Sequence, residues 1–294
     1  MRCSPGSATT SSWRPHAADP EPARVGRDGV LSLALERRGG ATVLSRCRYS
    51  LPLQVLAPLA LDDCAAVVSV LNPTGGLVGG DRLAIDVVVG PAAHACLTTP
   101  SATKVYRTAG APAEQHVRLR LGGGAILEWV PDHTIPFPGS AFRQAIDCEL
   151  DDDATLILTD AFAAGRIARG EAWQFALLES AVTVRDRRGP ILHDRFALTA
   201  RGAAQGLGFV EDHPYFGSFV AVADSGLHAF AAAAGRVLRD TDGAVGGVGA
   251  LARRGVVVRC LVASAPALTA VLEALWALAR RELLGLPALA LRKA

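Results

Sequence analysis

The sequence is short of lysine, of aromatic residues and of any paired metal-ligating motif. Lys104 and Lys293 are its two lysines, and the 30 basic and 28 acidic residues leave a formal charge of +2. So small an imbalance gives no argument for nucleic acid or an anionic membrane as partner. Cys3, Cys47, Cys64, Cys96, Cys148 and Cys260 include no Cys-x-x-Cys pair, which speaks against a structural zinc site and for a reduced, cytoplasmic protein. No stretch reaches the roughly eighteen uninterrupted apolar residues of a membrane span. No Gly-x-Ser-x-Gly elbow is present to support a serine nucleophile. Met1 to Asp28 carries Pro5, Pro15, Pro20 and Pro22 among Ser, Thr and Arg, without the apolar run of a targeting segment. The expectation is a disordered arm over 1–28 and a single domain over 29–294.

What is present is apolar: half the residues are hydrophobic, enough for a sizeable core and enough to suggest that a partner keeps the chain in solution. The stretch from Asn72 to Arg107 organises the rest. Gly75-Gly76 and Gly79-Gly80 lead into Asp81, then Leu83, Ile85, Val87 and Val89 alternate as in a half-buried strand. After Gly90-Pro91 the chain returns to a hydroxyl-rich block, Thr98, Thr99, Ser101 and Thr103, followed by Lys104 and Arg107. The glycine loop is not a phosphate-binding loop, which requires a lysine and a hydroxyl after its last glycine; Asp81 would repel the anion.

A repeat runs through the middle of the chain. LAIDVVVGPAAHACLTT, HVRLRLGGGAILEWV, AIDCELDDDATLILTD and AVTVRDRRGPILHDRF each read as strand, tight turn and second strand. Aligning Ala93, Ala125, Ala154 and Pro190 gives a period of roughly thirty residues, within the range of stacked units. A lone hairpin cannot bury its apolar face, so the expected fold is mainly β: stacked hairpins in layered sheets. Val30–Glu36 and Ala41–Tyr49, around Gly39-Gly40, predict a further hairpin.

Later segments predict a strand over 216–223, a short helix over 225–234 and a strand over 256–262. The echo of a dinucleotide fingerprint at Gly247 precedes a strand instead of a helix, and is set aside. Pro266 to Leu284 predicts an amphipathic helix with Leu268, Val271, Leu272, Leu275, Trp276 and Leu283 near one face, Arg280 and Arg281 at its negative end and Gly285 as its stop.

Three chemistries remain open to the residues. Asp81, Glu128 and Asp160 at strand ends could converge as glycosidase carboxylates do, making a carbohydrate-active enzyme on a β-solenoid the alternative reading. His94-x-Cys96 puts two ligands on one face of a strand, too few for a tight metal cage. A rigid β surface with mixed polar loops suits a binding protein.

GGLVGGD, LTTPSATKVYR, the Glu128-Trp129-Val130-Pro131 segment and Gly165-Arg166 with Gly170-Glu171 resemble the urease accessory protein family UreD, also called UreH. The resemblance runs from about residue 30 to 290. It departs at Asp160, where the family usually has glutamate, and at Phe137-Pro138-Gly139, where Phe-Glu-Gly is commoner. It implies a layered β structure resembling a short β-helix, closed by helices near the C-terminus. It further implies a non-enzymatic, chaperone-like scaffold that binds the urease apoprotein and, with UreF and the GTPase UreG, promotes nickel insertion and lysine carbamylation. No cofactor is then held tightly; nickel passes through, and GTP sits on UreG. Asp81, Thr98, Thr99, Ser101, Thr103 and Glu128 are the expected nickel-passage residues. Gly75, Gly76, Gly79, Gly80, Lys104, Arg107, Asp160, Arg166 and Glu171 are the expected partner-binding or structural ones. Dimerisation within the accessory complex is left open.

Overall fold

Period-two alternation shapes the first sheet. Arg82–Val89 buries every second residue, as do Ala113–Leu121, Ala141–Leu150 and Leu177–Asp186. These strands pair in parallel with one another, and Asp28–Arg38 extends the set. The computed structural model describes residues 4–5, 27–61, 64–199 and 213–291. Most of the arm expected over 1–28 therefore lies outside the described residues; its described Ser4–Pro5 makes a short parallel bridge to Arg48–Tyr49.

The second sheet carries Ala66–Leu71, His94–Thr98, Ile126–Val130 and Thr155–Ala163, again in parallel. Antiparallel Tyr215–Val222, Gly255–Val262 and Val245–Ala250 continue it. One of its faces looks across to the first sheet. Two helices, α1 (Leu227–Asp240) and α2 (Ala265–Leu284), cover the other. Burial on both faces explains the nearly unbroken apolar runs HACLT and TLILTDAFA.

The chain thus coils as a β-solenoid of about four turns with two helices near its C-terminus, the layered architecture that the repeat predicts. In its first three copies the strands flanking the turn belong to opposite sheets and pair with the next coil. Only the fourth closes on itself, Leu177–Asp186 against Gly189–Leu198. Ala93, Ala125 and Ala154, fully buried, stack at the corners where the chain changes sheet. Ile126 N donates to Ala93 O and Thr155 N to Ala125 O, tying each corner to the next. The residue before each of these alanines is left-handed: Ala92 at φ +55°, Gly124 at +64° and Asp153 at +61°. Glycine and aspartate suit that conformation; alanine is under steric strain there.

The predicted hairpin at Gly39-Gly40 is present, with both glycines at positive φ. The C-terminal helix runs over Ala265–Leu284, with Ser264 as N-cap and Gly285 left-handed at its end. The strand and helix expected over 216–223 and 225–234 are Tyr215–Val222 and the longer α1. The segment with the fingerprint echo is strand Val245–Ala250. Cys64, Cys96, Cys148 and Cys260 are not disulfide-bonded, and burial raises the thiol pKa of the last two. Cys47 is disulfide-bonded, a departure from the fully reduced set expected.

Candidate functional site

The tight corners at Ala93, Ala125 and Ala154 carry the chain from the first sheet to the second, and the longer polar loops, among them 72–81 and 106–112, carry it back. The glycine loop and the hydroxyl loop meet. Leu77 N donates to Lys104 O and Tyr106 N to Leu77 O, both at 2.8 Å. This closeness is why glycine stands at position 76: a Cβ there would lie 2.6 Å from Lys104 O. A Cβ at Gly79 would meet Thr108, and one at Gly80 the guanidinium of Arg27. These glycines give the loop room to close against its own neighbours, backbone at Gly76 and side chains at Gly79 and Gly80.

Between the sheets, behind these loops, lies a cavity of about 270 Å³. Thr98, Thr99, Ser101, Thr103, Lys104, Gly75 and Gly76 line it together with Asp160. The hydroxyls are unequal. Thr98 Oγ1 donates to Val130 O at 2.8 Å and is committed, whereas Thr99 Oγ1 accepts from Asp132 N and keeps its own proton to give. Trp129 also lines the cavity, and its indole N–H has no hydrogen-bond partner among the described residues. Such a donor marks a place for water.

The cavity floor is a polar row that the sequence reading missed. Gln115, Gln144 and Ser180 occupy equivalent, inward-facing register positions on three successive coils. Gln115 Nε2 donates to Gln144 Oε1 at 2.9 Å. Gln144 Nε2 and Ser180 Oγ each donate to Asp160 across the gap at 2.8 Å. Burial raises the Asp160 carboxyl to about 6, with Asp194 adding to the shift and the two hydrogen bonds opposing it. Asp160 also borders a second inter-sheet cavity of about 420 Å³, lined by Leu158, Phe162, Asp194, Phe196, Phe216 and Arg259 among others. The two cavities therefore share one carboxylate.

Asp81 and Glu128, expected beside the hydroxyls, stand elsewhere. Asp81 caps the glycine loop: its Oδ2 accepts from Val78 N at 2.9 Å, and burial raises its pKa. Its Oδ1 has no hydrogen bond among the described residues, with Arg27 Nε 3.8 Å away. Glu128 is fully buried on the helix-facing side of the second sheet. Arg280 Nη1 and Trp276 Nε1 of α2 each donate to it at 2.5 Å, and His94 Nε2 lies 2.6 Å from its Oε1. Strand alternation puts Trp129 into the solenoid and Glu128 out toward α2. Arg280, expected at the negative end of the helix, is 1% exposed and closes this cluster. Asp81, Glu128 and Asp160 therefore do not converge as paired catalytic carboxylates would. Cys96 is buried in the helix-facing core next to His94.

Arg166 and Glu171 pair as a two-pronged ion bridge at 2.5 and 2.8 Å, and Arg166 stacks over Phe137 at 4.3 Å. Gly165 is required beside them, because a Cβ would overlap Glu171 O. Lys104 and Arg107 are exposed, with Arg107 lying over Gly139. Among the described residues, no three of His, Cys, Asp and Glu cluster as a metal-holding group. No described helix is long and apolar enough to cross a membrane.

A profile of the family described as UreD urease accessory protein matches residues 27–294. The chain belongs to this family. Urease accessory protein UreD of Delftia acidovorans is 42% identical over 180 residues, covering 60% of this chain and 57% of that protein. The UreD of Alkalilimnicola ehrlichii is 38% identical over 64% of this chain and 65% of its own length. These two alignments thus span less than two thirds of the relatives. The Actinomyces naeslundii UreD aligns over 92% of this chain and 96% of itself at 32% identity.

Proposed function

We propose that this chain is a urease maturation factor: a non-catalytic scaffold that binds the urease apoprotein and, with UreF and the GTPase UreG, promotes nickel insertion. Membership in the UreD family supports the maturation role. The observation that carries the nickel reading is the meeting of two inter-sheet cavities at Asp160. Nickel here is cargo. An ion moving between the sheets would meet oxygen donors one or two at a time, from Thr99, Ser101, Gln144, Asp160 and Ser180. Few oxygen ligands bind a divalent ion weakly and release it, whereas a complete cage would trap it. Asp81 and Glu128 serve this reading indirectly, by shaping the glycine loop and by fixing α2.

The test is a pull-down on apo-urease after co-expression with UreF and UreG, together with urease activity in cells lacking the endogenous maturation factor. The proposal predicts that this chain joins the complex and restores activity. Full activity without it, or no association with apo-urease, would contradict the proposal.

A further inference from the structure

The four sheet edges are treated unequally by the sequence. Unpaired edges invite foreign strands, and proteins blunt them with short strands, proline, charge or bulges. Gly189–Leu198 carries Pro190 and the charged Asp194 and Arg195, with a register shift against its neighbour. At the far edges stand two-residue strands: Ser4–Pro5 on the first sheet, Gln54–Val55 and Leu59–Ala60 on the second. Val245–Ala250 has none of these devices. It is six residues long, reads VGGVGA, pairs without irregularity against Val256–Leu261, and is unpaired on its other side among the described residues. Val245 is 46% exposed.

A second observation points to an occupant. The cavity of about 420 Å³ opens beside this edge, with Val245, Gly246 and Gly247 in its wall and Phe196, Phe216 and Val220 beyond. Arg259 at its margin is already paired with Asp194 at 2.7 Å, so the groove suits an uncharged guest. Self-pairing would fill it poorly, since Gly246, Gly247 and Gly249 bring no side chains.

We propose that Val245–Ala250 is a strand-addition site, where an extended, uncharged segment of a partner protein pairs with the free edge and lays alternate apolar side chains along the rim of the adjoining cavity, leaving the space at Asp160 open. Main-chain hydrogen bonds would give the affinity and the groove the selectivity. The choice of partner rests on the maturation reading: the segment belongs to a protein of the urease maturation assembly.

The experiment is amide hydrogen exchange over 245–250 in the free chain and in its purified complex with apo-urease and the other accessory proteins. Gly247→Lys and Val245→Lys are compared with Gly123→Lys as control. A Cβ at Gly247 meets nothing within 4 Å, and thermal unfolding of each variant alone verifies that it folds. Protection of about tenfold or more in the complex is expected, with loss of co-purification for the two edge variants alone. Unchanged exchange in a complex that forms would overturn the inference and leave the maturation reading standing, as would normal assembly of Gly247→Lys. Protection that grows with the concentration of the free chain, alongside a dimer mass, would assign the edge to a second copy and overturn it. Failure of any complex to form would overturn both readings.

Discussion

Replacing Glu128 by alanine should be among the most destabilising single changes in this chain. Its carboxylate accepts from Arg280 and Trp276 at 2.5 Å and faces His94 at 2.6 Å, all within an interface closed to solvent. Without it, Arg280, 1% exposed, loses its buried carboxylate partner while its Nε still donates to Pro287 O at 2.8 Å. Breaking a buried pair from one side costs about 3–5 kcal/mol. A typical domain has a net stability of about 5–15 kcal/mol, so about a fifth or more of it is at stake. Trp276→Phe, which removes one neutral donor, should cost about 1–1.5 kcal/mol. The combination Glu128→Leu with Arg280→Met should recover most of the loss, because matched apolar groups leave no stranded charge. Urea unfolding followed by circular dichroism, with the slope checked for constancy, gives each value. The reasoning is refuted if Glu128→Ala lies within about 1 kcal/mol of the parent, or if the double variant is as unstable as the two single losses summed.

Three further outcomes follow. Asp160 has a folded pKa of about 6 against an ordinary 3.8, so between these values the folded chain holds a proton that the unfolded chain has released. Stability should therefore fall as pH rises through that window, by on the order of 1–3 kcal/mol, and Asp160→Asn should flatten this part of the profile. A parent-minus-variant difference that is constant from pH 4 to 7 would contradict it. Ala92→Gly should stabilise by up to about 1 kcal/mol, relieving the left-handed alanine that its counterpart Gly124 avoids; a lowered urea midpoint would count against this. Gly165→Ala should cost more than about 1 kcal/mol and loosen the Arg166–Glu171 bridge, seen as faster exchange of the Glu171 and Ala172 amides.

The β-solenoid was legible because its first sheet has one wet face, which leaves a clean alternation in Arg82–Val89 and its successors. Parallel pairing was not, since strand, turn and strand read alike whether they close as a hairpin or as a corner. Ala93, Ala125 and Ala154 held the clue: a fully buried alanine at the same place in three copies fits a corner between layers. The hydroxyl loop was found from its residues alone. The row Gln115, Gln144 and Ser180 was within reach, as polar residues at an inward position of three aligned repeats. Glu128 was misjudged because a strand buried on both faces gives no sign of which side a carboxylate takes. Its partners on α2 lie about 150 positions along the chain, beyond any local pattern.

The most direct measurement is the rate at which limiting nickel activates apo-urease when the space between the sheets is made apolar. Gln144→Leu and Asp160→Leu remove the oxygen donors where the two cavities meet, and each variant is assayed in complexes matched for the amount of this chain. Activation should slow sharply while assembly is preserved. Activation at the parental rate from a fully assembled complex would contradict an interior route for the ion.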